Sequence, residues 1–136
     1  MKSTAIWKKG YQSAIDNDRN QSITVDLPDM KGGENVGPTA LELCIMSFAG
    51  CINTIFIMLA KKMRIEFSAL KTELYAEQEQ GAPTITDVDC VLFITSNAPE
   101  EKIEKCFEQT IKTCPVGAIF EKAGIRITHE IILTQE

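Results

Sequence analysis

Leu43-Cys44-Ile45-Met46-Ser47-Phe48-Ala49-Gly50-Cys51-Ile52-Asn53-Thr54-Ile55-Phe56-Ile57-Met58-Leu59-Ala60 runs for 18 residues without a formal charge. The stretch is too long for a strand and predicts a helix. Pro38, whose fixed φ suits the first turn, opens it, and it extends to about Met63. Lys61, Lys62 and Arg64 fall at its end, where cations meet the negative pole of the helix dipole. The length approaches that of a membrane span. Ser47, Asn53 and Thr54 interrupt the apolar surface, however, Glu42 precedes it, and no other segment could join it in a bundle. The expectation is a buried central helix, with no membrane partner. A helix apolar nearly all round must be covered on every side, and one small domain has little material for that. A second subunit is the economical cover.

On the N-terminal side the chain reads as short strands, Ser3 to Lys8, Tyr11 to Ile15, and Ile23 to Leu27. Asp16-Asn17-Asp18-Arg19-Asn20 forms a polar turn of residues that tolerate left-handed backbone. Pro28 to Gly37, with Gly32-Gly33, is a loop. On the C-terminal side two strands follow, around Lys71–Glu77 and Ile85–Thr95, joined through Gly81-Ala82-Pro83. In the second, Val88, Cys90, Leu92 and Ile94 share a face, as the two-residue period of a strand requires. Ser96-Asn97 ahead of Pro99-Glu100-Glu101 signals a helix start, and Ile103, Phe107, Ile111 and Cys114 mark that helix's apolar stripe. Pro115 interrupts it, Val116 to Lys122 continues as a short helix ending at Gly124, and Ile125, Ile127, Ile131 and Leu133 line a last strand. This is an α+β pattern in a single domain, residues 1–136.

Charge and cysteine usage narrow the function. With 14 basic and 19 acidic residues the formal net charge is −5, and Lys8-Lys9 and Lys61-Lys62 are isolated pairs. Nucleic acid is not expected as a partner. Met1-Lys2-Ser3 leads straight into strand-like sequence without a secretory leader, and five cysteines is an odd number. The expectation is a reducing compartment, the cytoplasm, with thiols rather than a disulfide framework. No metal is expected, since there is no Cys-x-x-Cys and no histidine pair, and Gly32-Gly33 lacks the context of a phosphate loop.

Two cysteines stand apart. Cys51 lies mid-helix, where the dipole does little for a thiolate; periodicity alone leaves it as core, and a reactive thiol there would need a cation or donor from elsewhere. Cys114 precedes Pro115, so it can occupy the N-cap of the short helix, facing free backbone N–H groups that would lower its pKa. It reads equally well as reactive or structural. Cys44, Cys90 and Cys106 read as small core fillers. His129, the only histidine, shares a face with Ile127 and Ile131 and reads as a hydrogen-bonded core or interface residue.

Taken together, Gly37-Pro38-Thr39-Ala40-Leu41-Glu42-Leu43, Ser47-Phe48-Ala49-Gly50-Cys51 and Thr113-Cys114-Pro115-Val116 resemble the OsmC/Ohr family, the osmotically inducible and organic hydroperoxide resistance proteins. The likeness covers nearly the whole chain. It implies two small antiparallel sheets around a long central helix and a second helix, in an intertwined homodimer. It further implies a peroxidase in which Cys51 attacks the O–O bond of an organic hydroperoxide and its sulfenic acid is resolved by Cys114. A dithiol reductant, a lipoyl group in some members, resets the pair, and no cofactor is implied. Characterised members place a glutamate ten residues before the helix cysteine. That position is Leu41 here; Glu42 follows it, about 100° around the helix. They also supply an arginine from an N-terminal strand, for which this chain offers Lys9, the nearer match, and Arg19, in the polar turn. The alternative within the family is a non-peroxidatic dimer that binds a small apolar ligand or senses redox state.

Overall fold

The computed structural model describes residues 1–135. They form two compact units, one built from residues 1–44 and the other beginning at Ile45.

In the first unit, β1 (Thr4–Lys9), β2 (Gln12–Asp16) and β3 (Ile23–Val25) make an antiparallel sheet in that order. The polar turn forms as its composition predicts. Asp18 is left-handed at φ 63, and Asn17 Oδ1 accepts from the Arg19 and Asn20 N–H groups at 3.0 and 3.2 Å. The loop after β3 is organised by Asp26, which is buried. Its carboxylate accepts N–H groups from Leu27 at 2.8 Å, Glu34 at 3.1 Å and Val36 at 3.3 Å. Burial alone would push that carboxyl up, but these backbone donors outweigh it and hold it below its ordinary value. Gly37 is required by close approach: a Cβ there would sit 2.0 Å from the Thr24 carbonyl oxygen. The long helix then opens on a capping box. Glu42 N–H donates to Thr39 Oγ1 at 3.1 Å, and Thr39 N–H donates to Glu42 Oε2 at 2.7 Å.

That helix, α1 (Ala40–Met63), continues into the second unit, which adds β4 (Ala69–Glu77), β5 (Asp87–Thr95), α2 (Glu100–Thr113), α3 (Pro115–Lys122) and β6 (Arg126–Thr134). β5 is the central strand of a three-stranded sheet. It runs antiparallel to β4, with Leu74 opposite Cys90, and parallel to β6, with Cys90 opposite His129. The second sheet is therefore mixed rather than wholly antiparallel. The reason is the connection: α2 and α3 form a helical crossover, which brings the chain back to start β6 in the direction of β5. The α+β class stands.

The core of this unit is one cluster. From α1 it takes Phe48, Ile52, Phe56 and Ala60, each four residues from the last and so on one line of the helix. From β5 it takes Val88, Cys90, Leu92 and Ile94, and from α2 Ile103, Cys106 and Phe107. Phe48 stacks on Phe120 of α3 with centroids 4.8 Å apart. The Thr72 hydroxyl of β4 donates to Asn53 of α1 at 2.7 Å. α2 starts without side-chain capping because its N-cap is Pro99, which has no side-chain acceptor; Ser96 donates to the Glu66 carbonyl at 2.6 Å and accepts from Ala98 N–H.

The rest of α1 is open. By length and composition the helix could cross a membrane, yet only 22% of its most apolar window is buried within the chain. Met46 and Met58 are more than half exposed. Phe56, fully buried, is the best single probe of the core. Phe56→Ala should lower unfolding free energy by about 3–5 kcal/mol, read from the denaturant midpoint at unchanged m-value.

Candidate active site

No disulfide forms. Cys51 is half-buried, Cys90, Cys106 and Cys114 are buried, and Cys44 is exposed. Cys44 thus departs from the core-filler reading. Cys51 sits between Phe48 and Ile52 and packs beside the core cluster. Cys114 occupies the junction of α2 and α3, at φ −66 and ψ 113. Its N–H donates to Thr110 O at 2.9 Å as the last bond of α2, and its carbonyl accepts from Ala118 N–H at 3.0 Å as the first bond of α3. Pro115 follows at the first helical position, where its missing N–H costs nothing. The Gly117 N–H donates to Cys114 Sγ at 3.4 Å. The expected N-cap is therefore present.

The structure places the two thiols near enough to interact: the Cys51 side chain acts on the Cys114 thiol and raises it. The expected lowering of the Cys114 pKa does not occur. Burial pushes that thiol up, to about 11; the Gly117 N–H pulls it back only in part, and Cys51 raises it further. Desolvation wins because Cys114 is 1% exposed. Cys90, on the inner face of β5, interacts electrostatically with Cys114 and is pushed to about 12, chiefly by burial. Sequence reading placed Cys90 on the inward face of its strand, but nothing local to either segment sets β5 behind Cys114. Cys106 is pushed to about 11 by burial, its Sγ directed at the Phe56 carbonyl at 3.9 Å.

The remaining site candidates lie in the first unit, each in its own setting. Lys9 Nζ pairs with both carboxylate oxygens of Glu34 at 2.9 Å. Glu42 is engaged by Thr39, whose backbone N–H and hydroxyl hold its carboxyl below the ordinary value. Arg19 is exposed in the polar turn. His129 is exposed rather than core, its ring edge-on to Phe107 at 5.5 Å. Among the described residues no cluster of three or more His, Cys, Asp or Glu is placed to hold a metal. Two concavities in the second unit, about 480 Å³ beside Arg64 and Lys102 and about 300 Å³ beside Phe107 and His129, contain no cysteine in their lining.

Residues 32–130 match the family model described as OsmC-like protein. The chain belongs to the OsmC-like family. Solved structures agree in fold. An OsmC-like protein from Mycoplasma pneumoniae superposes with TM-score 0.87 at 17% identity, covering 98% of this chain and 96% of that one. An organic hydroperoxide resistance protein OsmC from Legionella pneumophila gives 0.71 at 12% identity, with 96% of each chain covered. The organic hydroperoxide resistance protein OhrB of Bacillus subtilis gives 0.66 at 16% identity, again over 96% of each. No curated protein matches by sequence. At these identities the structural neighbours speak for the fold.

The raised thiols have a consequence for this OsmC-like chain at alkaline pH. A folded pKa above the unfolded value keeps the thiol neutral, so its stabilisation is complete below the unfolded pKa and is lost as pH rises through the folded one. For Cys90 that window runs from the ordinary 9.0 to about 12. Wild type should therefore lose stability across this range. The stability gap between it and Cys90→Ala should narrow from pH 8 to pH 10.5, measured by urea unfolding at each pH.

Proposed function

We propose that the chain is a thiol-dependent peroxidase that reduces organic hydroperoxides. The observation that carries this reading is the side-chain contact between Cys51 and Cys114, with the first half-buried and the second fully buried. The half-buried Cys51 is the member of the pair nearer to solvent, and the buried Cys114 is shielded from it. The Cys51 thiolate attacks the O–O bond, forming the S–O bond and expelling an alkoxide that takes a proton to become the alcohol. Cys114 then attacks the sulfenic sulfur; the disulfide forms and water leaves with the Cys114 proton. An external dithiol, of the lipoyl kind, reduces the disulfide by two exchange steps and is itself oxidised. Neighbours described as organic hydroperoxide resistance proteins support the substrate class.

Lys9, Glu42 and Arg19 are the proposed thiolate-activating candidates. Lys9 would have to leave Glu34; an exposed pair of this kind holds by only about 0–1 kcal/mol, so the pairing is no obstacle. Both units are proposed to serve a single domain, in a cytoplasmic homodimer. The open apolar side of α1 around Met46 and Met58 supports the dimer. That same open face, together with the present engagement of Lys9 and Glu42, favours the second reading, a non-peroxidatic dimer that binds an apolar ligand or senses redox state.

Loss of an organic hydroperoxide in the presence of a dithiol separates the two. Wild type should consume it catalytically, Cys51→Ser should not, and Cys114→Ser should turn over about once before Cys51 is overoxidised. Equal rates for wild type and Cys51→Ser would end the peroxidase reading. Sedimentation at micromolar concentration should give a dimer; a stable monomer would count against the assembly.

A further inference from the structure

Cys114 is held more closely than a resolving cysteine requires. Its N–H closes α2 and its carbonyl opens α3, so the backbone cannot turn without breaking both helices. Its sulfur accepts the Gly117 N–H at 3.4 Å. Gly117 can sit there because it lacks a side chain: a Cβ would lie 3.1 Å from the Phe48 ring and 3.4 Å from Cys114 Cβ. Phe48 is itself fixed on Phe120. With the Gly117 N–H occupying a lone pair of the sulfur, the S–H is the group left to face Cys51, the side chain that acts on this thiol. At neutral pH that proton is present, since burial pushes the thiol to about 11.

We propose that Cys114 acts before it is oxidised: held by the Gly117 N–H, it donates its S–H to Cys51 and stabilises the thiolate that attacks the hydroperoxide. The inference rests on the peroxidase reading and adds to it. The start of α3 thereby reaches Cys51 through Cys114, giving a mid-helix thiol the helix-terminus donor that its own helix cannot supply. No bond forms in this step and no proton is transferred. The same proton is the one released with water when Cys114 later attacks the sulfenic acid. The titratable group acting on Cys114 is Cys51 from α1, and Cys114 in turn raises Cys90 of β5. Cys90 stays neutral at about 12 and introduces no competing charge.

The test is the pH dependence of Cys51 alkylation by iodoacetamide, followed by peptide mass spectrometry on the full chain in the absence of hydroperoxide. Altered access changes the plateau rate, whereas a lost donor moves the midpoint. Cys114→Ser keeps a donor and should leave the midpoint close to wild type. Cys114→Ala removes it and should raise the midpoint by about one unit, slowing alkylation near pH 7 about tenfold. Cys114→Val, which fills the space without a donor, should behave like Cys114→Ala and serves if the smaller side chain unfolds the junction. Equal midpoints in all variants, or the same rise with Ser as with Ala, would overturn the donor role. Because no peroxide enters the assay, that result would be independent of whether the chain is a peroxidase.

Discussion

The line Phe48–Ile52–Phe56–Ala60 on α1 must be buried, and the second unit is built around that need. Each of the four is at most 1% exposed, and the elements that cover them reach this line through distinct contacts: α3 by the Phe48–Phe120 stack, α2 by Cys106 against the Phe56 carbonyl, β4 by Thr72 on Asn53. Cys51 lies next to this line rather than on it, which is why it is half-buried and still adjacent to the core. The burial that stabilises the unit also fixes where the outer thiol stands.

Pro115 performs the complementary task. A residue that cannot donate an N–H cannot continue α2, so the chain breaks there and restarts as α3. The residue at the break becomes the C-cap of one helix and the N-cap of the next. With cysteine at that position, a thiol is delivered to the interior beside Cys51. Competing effects then set its chemistry. Helix N–H groups favour the thiolate and desolvation opposes it, and at 1% exposure desolvation is the larger. The outcome is an asymmetric pair, with the inner member protonated at neutral pH.

Much of this was legible in the chain. The 18-residue uncharged stretch predicted α1, the alternation Val88-Cys90-Leu92-Ile94 predicted the inner face of β5, and Cys114-Pro115 predicted the capped junction. Pro38 reads as the opener of the helix, but the Thr39–Glu42 capping box starts it at Ala40 and leaves Pro38 just outside. What was not legible depends on tertiary burial. Local sequence presents Cys114 with helix N–H groups and says nothing of the solvent it loses. It shows Ser96 as a cap and cannot show the Glu66 carbonyl that claims its hydroxyl. The parallel direction of β6 follows from a helical crossover and leaves no mark in the strand's own residues. His129 alternates with Ile127 and Ile131 as a core residue would, but β6 is an edge strand, and there the inward face meets solvent.

On the proposed reading, Cys51 and Cys114 form one redox unit. Its most direct measurement is disulfide mapping by mass spectrometry after one equivalent of an organic hydroperoxide, with remaining thiols alkylated on unfolding. A single new linkage is expected, Cys51 to Cys114, with Cys44, Cys90 and Cys106 recovered as alkylated thiols. Recovery of Cys114 as a thiol while Cys51 is lost to sulfinic acid, or linkage of Cys51 to any other cysteine, would contradict it.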